Sequence, residues 1–201
     1  MLSRFAQAFV RRLLTPLAAA LLRIGVTPDA VTIVGTLGVV LGALVLYPMG
    51  ELFWGTIVIT VFVFSDTLDG TMARLSGRTS SWGAFLDSSL DRLGDAAVFG
   101  GLVLYFASLP DSGLTAWLTL ACLVFGFMVS YVRARAEGLG YDAKGGIAER
   151  ADRLVVVLVA TGLTGLFGWP EVVLTVVMGL LALASAVTVV QRMLTVRAQA
   201  R

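Results

Sequence analysis

The chain holds 201 residues, of which 58% are hydrophobic and 14% charged, with a formal net charge of +2. A soluble domain is roughly 25% charged and about half apolar even with glycine counted, so this composition excludes an ordinary water-soluble globule and places the chain in a bilayer. There is no histidine, which removes imidazole from any acid–base or metal chemistry and leaves carboxylates to carry it. No nucleic-acid partner is expected.

In chain order, residues 1–26 form an N-terminal segment whose Leu2, Phe5, Phe9 and Leu13 share one helical face while Arg4, Gln7 and Arg11 lie opposite. That pattern predicts an amphipathic helix lying in the cytoplasmic interface. The apolar run that follows, TPLAAALL, is bracketed by Arg11, Arg12 and Arg23, is too short to span, and leads to no cleavage site, so it does not read as a signal peptide. Residues 27–201 are expected to form one all-α membrane domain. Long apolar stretches near 30–48, 52–74, 83–108, 113–136, 154–169 and 171–191 predict six transmembrane helices, because about 20 helical residues cross the hydrocarbon core.

Three connections, at Tyr47–Glu51, Ser108–Gly113 and Gly168–Glu171, are short and hold Pro and Gly, which end helices. None contains Lys or Arg. The 15 basic residues gather in the first 23 residues, around the second and fourth connections, or after the sixth span. The positive-inside rule therefore predicts an integral plasma membrane protein with both termini and the active site cytoplasmic. Cys122, the one cysteine, lies inside the fourth span and is expected to pack rather than react. Gly162, Gly165, Gly179 and Ala182 are expected to pack helices, within a protomer or across a dimer.

The stretch FSDTLDGTMARLSGRTSSWGAFLDSSLDR, Phe64 to Arg92, places four acids among apolar residues. Asp66 and Asp69 are three apart near the cytoplasmic end of span two; Asp87 and Asp91 are four apart at the start of span three, so each pair shares a helix face. The short linker LSGRTSS predicts antiparallel neighbours that bring the four carboxylates to one locus. Intramembrane carboxylates persist only when paired, hydrated or bound to cations, and hard oxygen ligands in this number point to Mg²⁺ or Mn²⁺. Gly70, Ala73 and Gly83 leave room beside the acids, and Arg74 and Arg78 supply cations at the same depth, which suits a phosphate-bearing ligand. A structural salt-bridge network with Arg74, Arg78 and Arg92, or a pathway for a transported cation, are the competing readings. Asp95, one turn beyond Asp91, is expected either to support that site or to pair with Arg92.

The pattern Asp66-x-x-Asp69-Gly70-x-x-Ala73-Arg74, then eight residues, then Gly83-x-x-x-Asp87-x-x-x-Asp91 resembles the signature of the CDP-alcohol phosphotransferases at every fixed position. That resemblance implies a six-span fold with an interfacial N-terminal helix, a homodimer, and transfer of a phosphatidyl group from CDP-diacylglycerol to an alcohol with release of CMP. It further implies that Asp66, Asp69, Asp87 and Asp91 bind two Mg²⁺ or Mn²⁺ ions and that Asp91 is the general base. Gly70, Ala73, Arg74, Thr79 and Gly83 would line the nucleotide pocket, and VTPDAVT resembles the segment closing over it, which adds Asp29 and Thr32. Thr27-Pro28-Asp29 also reads simply as an extended turn into the first span.

The segment SYVRARAEGLGYDAKGGIAERADR carries Arg133, Arg135, Lys144, Arg150 and Arg153, a cluster suited to an acceptor that itself bears phosphate, or to anionic lipid headgroups. Its wording resembles the actinobacterial, inositol-phosphate branch of the family, implying L-myo-inositol 1-phosphate as acceptor and phosphatidylinositol phosphate as product. Ser130, Arg133, Arg153 and Arg192 are the candidates for the acceptor phosphate. Glycerol 3-phosphate as acceptor, a cation-coupled transporter, and a prenyl transferase with aspartate-rich motifs are the alternatives.

Overall fold

The structure, a computed structural model, describes residues 15–77 and 80–200. These fold into helices α1 (residues 15–23), α2 (Pro28–Leu41, extended by a π-helical turn Gly42–Leu46), α3 (Leu52–Val63), α4 (Ser65–Leu75), α5 (Ser81–Ala107), α6 (Gly113–Glu137), α7 (Arg150–Phe167) and α8 (Val172–Gln199), with no strand among the described residues. The predicted amphipathic face of Leu2, Phe5, Phe9 and Leu13 lies outside the described residues.

Four stretches are long and apolar enough to cross a membrane: Pro28–Leu46, Leu52–Leu75, Gly113–Glu137 and Val172–Gln199. Helices α5 and α7, also predicted as spans, differ because each 18-residue window in them holds at least three charged residues: Asp91, Arg92 and Asp95 in α5, and Arg150, Asp152 and Arg153 in α7. Polarity is reversed relative to a soluble bundle. Leu37, Leu41, Val61, Trp117, Val124, Leu180 and Leu183 are exposed, while Thr119 and Thr188 are fully buried, their hydroxyls bonded to the Thr115 and Ala184 carbonyls. In lipid, apolar side chains lose nothing by facing outward and hydroxyls find partners inside, so this is a membrane protein.

The chain divides into two compact units. The first comprises residues 15–42 and 57–94, where α2 packs along α4. Thr27 is extended (φ −89°, ψ 152°) and its hydroxyl caps α2 by accepting the Ala30 N–H at 3.2 Å, with Pro28 in the first turn where its missing N–H costs nothing. The TPD segment is thus a turn into the span, and it sets the start of α2 beside the cavity described below. Gly35 and Gly38 let α2 approach its neighbour, since a Cβ at either would fall 1.7 Å from Ser65 Oγ or 2.3 Å from the Phe62 ring. The predicted second span is broken at Phe64, whose carbonyl receives the N–H groups of both Thr67 (3.1 Å) and Leu68 (3.3 Å), a local tightening at the entry to α4.

The second unit comprises residues 43–56 and 95–200, with α6 and α7 each packed on α8. The buried Tyr47 hydroxyl bonds the Thr56 hydroxyl at 3.0 Å. Glu171 ties the α5–α6 turn to α8 by accepting from Ser112 (2.5 Å) and Thr115 (2.6 Å). The Cys122 thiol donates to the Met178 carbonyl at 3.1 Å, a packing role as expected. Asp95 pairs with Arg150 at 3.1 Å, a long-range partner that the spacing to Arg92 did not announce. In the loop before α7, Asp142 accepts the Lys144 N–H at 2.9 Å, and this bond, with the Lys144 ammonium, holds its carboxyl below the usual carboxylate range.

Gly162 and Gly165 pack helices within the protomer. A Cβ on Gly165 would lie 2.4 Å from the Phe53 amide nitrogen, and one on Gly162 3.0 Å from Thr56 Cγ2. Backbone cannot rotate aside as a side chain can. Gly165→Ala is therefore expected to destabilise by about 2–3 kcal/mol, read as a lowered melting temperature in detergent, whereas Gly100→Ala, which meets nothing within 4 Å, leaves the melt unchanged.

Candidate active site

The first unit holds a cavity of about 250 Å³ lined by Pro28, Asp29 and Thr32 of α2, Asp66, Asp69, Gly70, Ala73 and Arg74 of α4, and Ser80, Gly83, Ala84 and Asp87 at the start of α5. Helical spacing explains the lining. Asp66, Asp69, Gly70 and Ala73 recur at three and four residues, and Gly83 and Asp87 at four, so each helix turns one stripe to the cavity. Gly70 keeps the α4 side low, and the Arg74 guanidinium lies over it, 3.7 Å from where a Cβ would be.

Asp69 is only 6% exposed. It accepts a 2.5 Å hydrogen bond from the Thr32 hydroxyl, which also donates toward the Pro28 carbonyl at 3.1 Å, so the first turn of α2 is tied to the acidic stripe of α4. A burial this deep is costly for a carboxylate unless cations or donors compensate it. Among the described residues, no Lys or Arg forms a salt bridge with Asp69 or Asp87. At the mouth, Asp29 accepts the Trp82 indole N–H at 3.1 Å, and the Ser80 hydroxyl caps α5 by accepting the Gly83 N–H at 3.0 Å.

Three of the four predicted acids, Asp66, Asp69 and Asp87, line the cavity, but Asp91 does not, and its Oδ2 accepts from Arg92 at 3.3 Å. Nor do any three acidic or thiol side chains among the described residues close into a cage for one ion. The donor set nonetheless fits a hard divalent cation. Four carboxylates, those of Asp29, Asp66, Asp69 and Asp87, line one cavity with Arg74 the one cation in its lining among the described residues, and Mg²⁺-type ions bind through one or two carboxylates plus substrate phosphates rather than in an all-protein cage.

The remaining predicted residues divide by position. Asp29, Thr32, Gly70, Ala73, Arg74 and Gly83 all line the cavity, while Thr79 and Arg78 lie outside the described residues. Pro28, Ser80, Ala84 and Trp82 are additions. Ser80 was findable as a Ser three residues before Gly83 at a helix start; Trp82 carried no local signal. The acceptor candidates are all in the second unit. Arg153, 2% exposed, donates to the carbonyls of Ala148 (3.0 Å) and Gly126 (3.4 Å), and Ser130 donates to the same Gly126 carbonyl at 3.3 Å. Arg192, 4% exposed, donates to Val129 (2.7 Å) and Gly145 (2.9 Å) carbonyls. Arg133 is more exposed and pairs with Glu137 at 2.9 Å.

Comparison with known proteins agrees with this geometry. A profile of the CDP-alcohol phosphatidyltransferase family matches residues 25–196. The chain is 54% identical to the phosphatidylinositol phosphate synthase of Streptomyces avermitilis, over 98% of this chain and 83% of that protein, and 52% identical to that of Cutibacterium acnes, over 98% of each. Crystal structures of the Mycobacterium tuberculosis phosphatidylinositol phosphate synthase superimpose with a TM-score of 0.88 at 47% identity. One has CDP-DAG bound and covers 92% of this chain and 94% of that one; another, in complex with manganese and citrate, covers 92% and 88%. With the motif intact, its acids and small residues on one cavity, and the match running almost end to end, the chain belongs to the CDP-alcohol phosphatidyltransferase family of enzymes.

Proposed function

We propose that this enzyme transfers the phosphatidyl group of CDP-diacylglycerol to L-myo-inositol 1-phosphate, forming phosphatidylinositol phosphate and CMP. The observation that carries the reading is the cavity in which Asp66, Asp69 and Asp87 face Gly70, Ala73, Gly83 and Arg74. An acidic wall with small-residue gaps takes a diphosphate only when cations intervene. Mg²⁺ or Mn²⁺, two ions held by Asp66, Asp69, Asp87 and Asp91, would supply positive charge against the diphosphate and the leaving CMP. The protein's own part is to hold those carboxylates, through Thr32 in the case of Asp69, and to present Arg74 to phosphate oxygens.

In the reaction the acceptor hydroxyl oxygen bonds to the phosphorus that carries diacylglycerol, the bond from that phosphorus to the oxygen of CMP breaks, and the hydroxyl proton passes to Asp91. Asp91 stands one turn from Asp87 on α5, next to the acidic lining of the cavity, which supports assigning it the base role. Ser130, Arg133, Arg153 and Arg192 are assigned to the acceptor's phosphate. Support comes from Arg153 and Arg192, two buried guanidiniums in the same unit as Ser130 and Arg133, a residue type whose planar fork matches phosphate oxygens.

The arrangement in the membrane belongs to the same proposal: residues 27–201 as one domain crossing the plasma membrane six times, residues 1–26 as an interfacial helix, both termini and the active site cytoplasmic, and a homodimer. The charges of α5 fall within residues 87–95 and those of α7 within 150–153, followed by uncharged runs at 96–107 and 154–167, which favours an arrangement with the charged part of each helix toward an interface and the apolar part in the core.

CMP release by the purified protein in detergent, with CDP-diacylglycerol and Mg²⁺ or Mn²⁺, is expected with inositol 1-phosphate and not with glycerol 3-phosphate or free inositol. Preference for glycerol 3-phosphate would move the enzyme to the sister reaction, and no metal-dependent release with any acceptor would reopen a transport role. Asp91→Asn should lower kcat by at least about 10³-fold with the fold retained; normal turnover would remove Asp91 from the mechanism. Thr32→Val should weaken Mn²⁺ affinity by about tenfold, read from the Mn²⁺ concentration that raises the melting temperature. Unchanged affinity would mean that Thr32 does not orient a metal ligand.

A further inference from the structure

Beside the acidic wall, the same cavity carries a contact that the aspartate motif does not explain. Asp29 lies one turn before Thr32 on α2, and Gly83 one turn before Asp87 on α5, so these two form a layer next to that of Asp69 and Asp87 along the helices. Trp82 donates its indole N–H to Asp29 Oδ2 at 3.1 Å, and the other carboxylate oxygen, Oδ1, lies 3.9 Å from where a Gly83 Cβ would stand. Trp82 is 60% exposed and its ring sits 5.9 Å from that of Phe85. Burial is therefore a poor reason for its placement. An indole N–H donates and never accepts, so this bond holds the carboxylate in the acceptor role and fixes which oxygen remains available.

A nucleoside diphosphate presents anionic oxygens at one end and N–H and O–H donors at the other. A carboxylate repels the first and accepts from the second. We propose that Trp82 is a positioning residue for the nucleoside: it ties Asp29 Oδ2 so that Oδ1 accepts a hydrogen bond from the cytosine amine or a ribose hydroxyl. The proposal rests on the phosphotransferase reading and extends it to the nucleotide's other end.

The test is equilibrium binding of CMP to the purified full-length protein in Mn²⁺ buffer, with KM and kcat for CDP-diacylglycerol measured alongside. Trp82→Phe keeps an aromatic ring at this exposed position and deletes only the donor. It is expected to raise the CMP Kd and the KM by about 3- to 10-fold, with kcat within about twofold and the melting temperature unchanged. In an Asp29→Ala background the same change should add nothing, because Trp82 acts through Asp29. Comparison of CMP with UMP and 2′-deoxy-CMP identifies the donor: the analogue that wild type disfavours should lose that handicap in Trp82→Phe. Equal CMP affinity in wild type and Trp82→Phe, or a penalty undiminished in Asp29→Ala, would overturn the role of Trp82 alone. Failure of wild type to bind CMP at all would overturn the phosphotransferase reading, and this one with it.

Discussion

The hydrogen bond from Thr32 to Asp69 is the contact on which the site depends. A carboxylate only 6% exposed has lost most of its hydration, and among the described residues no guanidinium or ammonium forms a salt bridge with it. The hydroxyl supplies one strong donor and the Gly70 backbone another; a cation bound in the cavity, as proposed, would supply charge that no salt bridge among the described residues gives it. Full internal pairing would satisfy the carboxylate and leave it nothing to bind.

That contact requires α2 to lie close against α4, and the approach is made possible by what is missing from α2. At Gly35 and Gly38 any Cβ would overlap Ser65 or Phe62. In water such glycines would weaken a helix by about 1 kcal/mol each relative to alanine. In a membrane, where apolar surface gains nothing by leaving lipid, close packing is itself a source of association, so small residues are concentrated where helices must touch. The second unit uses the same device at Gly101, Gly162 and Gly165.

Much of this was legible in the sequence because its causes are local. Three- and four-residue spacing predicts that Asp66, Asp69, Gly70 and Ala73 share a stripe, and they do. Pro and Gly in the turns correctly mark the ends of the α2 segment, α5 and α7. What was hidden depends on side-chain direction or on distant partners. Asp91 has the right spacing from Asp87 but does not line the cavity. The bonds Asp95–Arg150, Thr32–Asp69 and Asp29–Trp82 join residues 55, 37 and 53 apart, and no periodicity encodes such pairs. The break at Phe64 was also invisible, since the residues on both sides of it read as one continuous helix.

The division of charge along the chain bears on why one enzyme would hold two phosphate-bearing substrates by different means. On the proposed assignment the donor's diphosphate meets carboxylates through metal ions, whereas the acceptor's phosphate meets guanidiniums directly. A phosphoryl group that must react needs charge focused on the oxygens whose bonding changes, which a divalent ion at short range supplies better than a delocalised guanidinium. A phosphate that serves only as a handle needs orientation without activation, and the planar fork of arginine gives that. Exchanging the two modes would activate the handle and leave the reacting group merely held. On that assignment, the acids of α4 and early α5 and the buried arginines of α7 and α8 would follow from one requirement: the two phosphates must be treated unequally.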